Sequence, residues 1–305
     1  MSTTMKIQVF NFCSVAAFGI FCAASSVSAQ SYIGHATDNV ISLIDTATGA
    51  SSTFYSGTGM NLNGLAWSEA NQRFYVIDTT DPAGQRFYSI DPLDPMASLT
   101  DEGILLNSLG NQLAFPVYGA TIDNSGSGLY LGIVTTSSIL STWTLDGGNA
   151  VSQTTLNLGS TGWSGLQLGD LSIDGNGALW ISATNINITQ TALLRYSSVA
   201  AAIAGNAPTV FHFNTSSAAS LMNGLGYDPL TDTLHGFRAV NGSFFEIDQT
   251  TAVVSVINNT NPLFDLQGDL SDAFVAAVPE PSSALFTAVA GMIILLRRRR
   301  PGFAR

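Results

Sequence analysis

Cysteine is nearly absent. The 305-residue chain has two, Cys13 and Cys22, and both fall in its first 29 residues. A body without cysteine has no disulfide, no thiolate metal site and no cysteine nucleophile, so its stability rests on packing and on closure of the fold. Lysine is rarer still, with Lys6 alone. Between Gln30 and Val278, four arginines (Arg73, Arg86, Arg195 and Arg238) stand against 17 Asp and 3 Glu, a net charge of −16. That balance excludes nucleic acid as a partner, because phosphate contacts need clustered Lys and Arg. It also repels anionic surfaces unless divalent cations bridge them. Catalytic signatures are missing as well. There is no Gly-x-Ser-x-Gly elbow, no His-Glu-x-x-His, no P-loop and no dinucleotide fingerprint. With 46% apolar and 10% charged residues, the chain is not disordered.

Residues 1–29 read as a secretory signal. Lys6 gives a positive start, an apolar run follows from Val9 to Cys22, and Val27-Ser28-Ala29 suits a signal peptidase that needs small side chains. Cleavage is expected after Ala29. Residues 30–278 then form the body and 279–305 a tail.

After Val278 the tail opens with Pro279-Glu280-Pro281, followed by a 13-residue apolar stretch from Ala284 to Leu296 and then Arg297, Arg298, Arg299 and Arg300. Thirteen helical residues cover about 20 Å of a hydrocarbon core about 30 Å thick. Ser282, Ser283 and a snorkelling Arg bring the helix closer to spanning. The arginines are expected to stay cytoplasmic by the positive-inside rule. This order of motif, apolar span and arginine cluster resembles the PEP-CTERM sorting tail of exported bacterial proteins. The resemblance implies recognition by an exosortase-type membrane enzyme, cleavage near Pro279, Glu280 and Pro281, and transient anchoring in the inner membrane. It implies a final address on the outer surface or in the extracellular matrix of exopolysaccharide-producing bacteria.

The body repeats itself. Asn63-Gly64-Leu65-Ala66-Trp67, Tyr118-Gly119-Ala120-Thr121-Ile122, Gly169-Asp170-Leu171-Ser172-Ile173 and Asn223-Gly224-Leu225-Gly226-Tyr227 each open a unit, with the glycines 55, 50 and 55 residues apart. Each unit holds short β-rich runs between marked turns, such as Asp174-Gly175-Asn176-Gly177. Units of this length and make-up read as four-stranded propeller blades. The partial copies at the two ends complement each other. Gln267-Gly268-Asp269-Leu270-Ser271-Asp272 supplies a lone first strand, and Tyr32–Ala36, Val40–Asp45 and Ser52–Tyr55 supply the other three. The expected fold is therefore an all-β propeller of five blades, closed by pairing of the terminal strands. Extra strands between Gly103 and Pro116 would make six, and a β-sandwich is the rival architecture. A short helix is expected within Ser197–Asn206, before a strand at Thr209–Phe213.

Residues at the start of each innermost strand surround a propeller's channel. Asn63, Asn223, Asp170 and Asp269 are therefore candidate ligands for a hard cation, Ca²⁺ or Mg²⁺. The segment Asn63-Gly64-Leu65-Ala66-Trp67-Ser68 with Phe74-Tyr75-Val76-Ile77-Asp78 resembles a blade of the gluconolactonase (senescence marker protein) family. That family is six-bladed and holds a divalent metal in its channel. The resemblance implies metal ligands at Asn63, Asn223 and Asp170, although no counterpart of the family's N-terminal metal-binding Glu is found. His35, His212 and His235 read as packed or rim imidazoles. Trp67, Trp143, Trp180, Phe74, Phe87 and Tyr75 read as packing between blades. Trp163, in the loop Gly159–Gly165, is the candidate exposed platform for a glycan. The leading expectation is a non-enzymatic, exported surface or matrix propeller binding a carbohydrate, protein or cation. The alternative is a metal-dependent lactonase or hydrolase in the channel.

Overall fold

The computed structural model describes residues 27–82, 84–94, 99–134, 138–159, 166–185, 191–213, 222–238, 242–258 and 269–279. Residues 1–26, Trp163, Gln267, Gly268, Glu280, Pro281 and Arg297 to Arg300 lie outside them. The signal up to Ser26, the sorting tail beyond Pro279 and the glycan platform therefore fall outside the described structure. Among the described residues, no helix is long and apolar enough to cross a membrane. Residues Ser31–Ala276 form one compact unit.

The strands run in chain order as β1 (Val27–Thr37), β2 (Val40–Asp45), β3 (Ser51–Ser56), β4 (Leu62–Ser68), β5 (Arg73–Asp78), β6 (Gln85–Ile90) and β7 (Thr100–Leu106). There follow β8 (Val117–Ile122), β9 (Tyr130–Val134), β10 (Ile139–Trp143), β11 (Gly148–Asn149) and β12 (Ser152–Thr155). The rest are β13 (Leu166–Ile173), β14 (Leu179–Asn185), β15 (Thr191–Tyr196), β16 (Thr209–Phe213), β17 (Met222–Asp228), β18 (Thr233–Arg238), β19 (Ser243–Ile247), β20 (Val254–Asn258) and β21 (Asp269–Pro279). One helix, α1 (Val199–Ile203), precedes β16, and the Ser198 hydroxyl caps it by accepting from Ala201 N.

These strands make five sheets. Four are up-and-down sheets that begin at β4, β8, β13 and β17, and the fifth has the order β21-β1-β2-β3. The short β11 adds a parallel pairing to β7. The fold is a five-bladed propeller, and its first and last strands share one blade. Among the described residues no sixth blade and no sandwich forms: Gly103 lies within β7, and Leu106 makes a single bridge to Gln112.

The first strand of each sheet lies nearest its neighbours, with β4 beside β8, β8 beside β13 and β13 beside β17. Such close approach needs positions without side chains. A Cβ on Gly119 would strike the Gly169 carbonyl oxygen, and one on Gly226 would strike that of Ser271. Five apolar clusters fill the five gaps between blades. Phe74, Trp67 and Phe274 belong to one, Phe87, Tyr130 and Trp143 to the next. Leu171 and Ile181 mark the third, Trp180 and Phe245 the fourth, Phe237 and Leu270 the fifth. The aromatic residues read as packing from sequence are thus buried where blades meet. Outer strands alternate with solvent instead: β3 has no fully buried residue, while β5 has five in a row. A cysteine-free ring gains its stability from this inter-blade burial.

Candidate functional site

The inner strand of a blade is a sheet edge, so part of its N–H row has no partner within the sheet. A shift of register interrupts the pairing near the start of four inner strands, at Asn63/Ala66, Val117/Gly119, Leu168/Leu171 and Met222/Gly224. Such bulges re-aim backbone groups. Five N–H groups, one per blade, meet two carboxyls here: four on the shifted strands and Leu270 N on β21. Asp269 Oδ2 accepts from Leu65 N at 2.6 Å. Asp170 Oδ1 accepts from Ala120 N at 3.2 Å and Leu171 N at 2.8 Å. Asp170 Oδ2 accepts from Leu225 N at 2.8 Å and Leu270 N at 3.1 Å. Asp170 and Asp269 form the hub of the ring.

Both carboxyls are fully buried, and burial is the main cause that raises their proton affinity. Asp269 sits well above the ordinary carboxylate range because of burial and the charge of Asp170 beside it. Burial pushes Asp170 up to about 7, against the pull of its N–H contacts. Asp269 Oδ1 is buried with no hydrogen-bond partner among the described residues.

A second layer holds Asp272. Its Oδ2 accepts from Thr121 Oγ1 at 2.6 Å, and its Oδ1 accepts from Ser172 Oγ and from Tyr227 N at 2.9 Å. One side chain of the closing strand thus clasps three other blades. Burial pushes this carboxyl up to about 6, against the pull of those three bonds.

Beyond Asp272, residues of all five inner strands line a cavity of about 480 Å³. Trp67 comes from β4, Ile122 from β8, Ile173 from β13, Tyr227 from β17 and Val275 from β21. Pro229 and Leu230 extend the apolar wall, while Glu69, Asn124, Asp174 and Asp272 supply polar atoms. A second, more polar groove of about 660 Å³ lies by Arg195, Asp232, Glu246 and Asp248. There the Arg195 guanidinium lies over the Trp180 ring at 5.3 Å, and Asp248 caps a turn through Thr250 N and Thr251 N.

The four residues proposed as cation ligands separate into two groups. Asp170 and Asp269 meet at the hub. Asn63 turns its Oδ1 back onto Gly64 N at 2.9 Å, and Asn223 is half-buried at the start of β17. Among the described residues, no three His, Cys, Asp or Glu side chains are placed to share an ion. Both Asp170 oxygens and Asp269 Oδ2 are engaged by backbone N–H groups. Five N–H dipoles point at these oxygens, and a cation there would face them positive end first. His35 and His235 are buried at the flanks of the inter-blade core. His35 meets Phe237 edge-on and His235 stacks on Phe244, each at 5.1 Å. Burial pushes them down to about 3 and about 4, so both are neutral at physiological pH. His212 is exposed on β16. Asp174-Gly175-Asn176-Gly177 is a hairpin turn in which Asp174 Oδ1 accepts from Asn176 N and Ala178 N.

No protein-family model and no curated protein sequence matches the chain. Distant likenesses exist among solved structures. A chain of the nidogen/laminin complex has a TM-score of 0.48 at 12% identity, covering 81% of this chain and 98% of its own. A Bacteroides thetaiotaomicron protein of unknown function has a TM-score of 0.46 at 12% identity, over 77% of this chain and 58% of that one. A Bacteroides uniformis protein assigned as a 6-phosphogluconolactonase has a TM-score of 0.38 at 12% identity, over 76% and 68%.

The mouth cavity and the role of Asp272 were missed by reading the sequence.

Proposed function

We propose that this chain is an exported, non-enzymatic binding propeller whose ligand sits in the mouth of the ring. The observation that carries the reading is the 480 Å³ cavity lined by residues of all five inner strands. Ligand sites favour such concave, mostly apolar places on a rigid frame. Closure of the blade by β21 and β1 fixes the walls, because Asp272, Ala273 and Val275 come from the closing strand. The two terminal segments supply the address. The Lys6-led apolar start supports export, and the Pro279-Glu280-Pro281 tail supports sorting by an exosortase-type enzyme to the surface or the exopolysaccharide matrix.

The test is a thermal-shift screen of glycans, amines, organic acids and divalent metals on the full-length chain and on Val275→Arg. Val275 is 42% exposed, so the arginine crowds the mouth without disturbing the core. Hits that stabilise the parent and fail with Val275→Arg support the reading. Hits that act equally on both place the ligand elsewhere and overturn it. Removal of Val278 to Arg305 is expected to abolish surface delivery, and unchanged delivery would refute the sorting role.

A further inference from the structure

We infer that the mouth of the ring takes an organic ammonium ion with an apolar body, a proposal that rests on the binding reading above. The argument starts from donors. Four side chains in the lining carry N–H or O–H groups, and each already donates within the protein. Trp67 Nε1 donates to Glu69 Oε2 at 3.0 Å, and Asn124 Nδ2 to the Trp67 carbonyl at 2.9 Å. Ser125 Oγ donates to Asp123 Oδ1 at 3.1 Å, and Tyr227 to Asp232 Oδ1 at 2.9 Å. An anionic ligand needs donors, and a polyol needs donors and acceptors together. The walls offer neither a ready supply of side-chain donors nor any cation, since no Lys, Arg or His lines the cavity.

What the walls offer is one exposed carboxylate and apolar surface. Asp174 and Asp272 are buried and each already accepts three hydrogen bonds. Glu69 is exposed and only its Oε2 is engaged, by Trp67 Nε1, and a carboxylate oxygen can accept more than one bond. Tyr227 adds aromatic surface, and a cation is drawn to such faces. Ile122, Ile173, Leu230 and Val275 complete an apolar chamber beside them. An ammonium group only donates, so it meets the Glu69 carboxylate without displacing an existing bond. Its hydrocarbon body fills the remainder. The net charge of −16 over the body draws such a cation in from solution.

The experiment is isothermal titration of the full-length chain at low ionic strength with phenethylammonium, 2-phenylethanol and phenylacetate. These probes share a ring and chain length and differ in charge. Phenethylammonium is expected to bind about tenfold tighter than the alcohol, with phenylacetate weakest. Glu69→Gln keeps an acceptor for Trp67 Nε1 and removes one charge. It is expected to weaken the ammonium several-fold and leave the alcohol unchanged, while Val275→Arg abolishes both. Equal or tighter binding of the alcohol or of phenylacetate, still lost in Val275→Arg, would overturn the ammonium inference and leave the binding reading standing. Ammonium binding that survives Val275→Arg, or no binding by any probe, would also overturn it. The binding reading itself falls only if the broader screen yields hits indifferent to Val275→Arg.

Discussion

Asp269, the first residue of the last strand, accepts a hydrogen bond at 2.6 Å from the backbone N–H of Leu65, 204 residues earlier in the chain. The bond joins the blade completed by the two ends of the fold to the blade that follows it. With Asp170, it gives every inner strand an acceptor on the axis.

The two hub acids differ in what a neutral amide does to them. In Asp170→Asn, the new NH₂ faces two N–H donors in place of an oxygen. Two buried donors lose their acceptor, at a cost of about 2–6 kcal/mol. In Asp269→Asn, the amide oxygen still accepts from Leu65, and the neutral group removes the repulsion between two buried acids. A loss below about 1 kcal/mol is expected. Urea unfolding of both variants checks the contrast, and equal losses would contradict the unequal engagement of the two acids.

Asp272 gives the fold a pH dependence of definite sign. Its folded value of about 6 lies above the unfolded value of about 3.9. The folded state binds the proton more tightly, so this contribution is complete below about pH 4 and is lost as pH rises to about 6. The slope is at most about 1.4 kcal/mol per pH unit. The hub pair acts in the same direction. Asp272→Asn, which retains an acceptor for Tyr227 N and donates to Thr121, should flatten the profile. Unfolding midpoints between pH 4 and pH 7 test this, and an unchanged slope in the variant would contradict it.

Metal removal should do nothing. The hub oxygens face N–H donors, and Asn63 is engaged with its own neighbour. Elemental analysis should find no stoichiometric divalent metal, and EDTA should leave the melting temperature where it was. Bound metal that disappears in Asn63→Ala would restore the channel cation.

Gly226 should tolerate no side chain. Its Cβ would strike the Ser271 carbonyl of the closing strand, and backbone on both sides leaves little room to adjust. Gly226→Ala is expected to cost about 1–3 kcal/mol, measured by chemical unfolding. A neutral outcome would mean that β17 and β21 do not pack at this distance.

Much of this architecture was legible because repetition is a sequence property. Glycines at 64, 119, 169 and 224 marked the inner strands. The terminal fragments could be matched by counting the strands each lacked. The turn at Asp174 and the strand at Thr209–Phe213 followed from local chemistry. The convergence of Asp170 and Asp269 was also legible, but its chemistry was not. Asn63, Asp170, Asn223 and Asp269 read alike as oxygen ligands. The backbone N–H groups that engage Asp170 and Asp269 are set by strand register and by the placing of five inner strands together, which residue type does not show. The mouth cavity was hidden for a related reason. Trp67, Ile122, Ile173 and Tyr227 are ordinary strand residues until the ring places their ends side by side.

Native-state hydrogen exchange at the hub amides tests ring closure most directly. Leu65, Ala120, Leu171, Leu225 and Leu270 each donate to the same acid pair. In a closed ring, all five should exchange only through global unfolding, with one common opening free energy. Fast exchange at Leu65 and Leu270, with Leu171 still protected, would show that the terminal blade opens independently, and the closed propeller would be wrong.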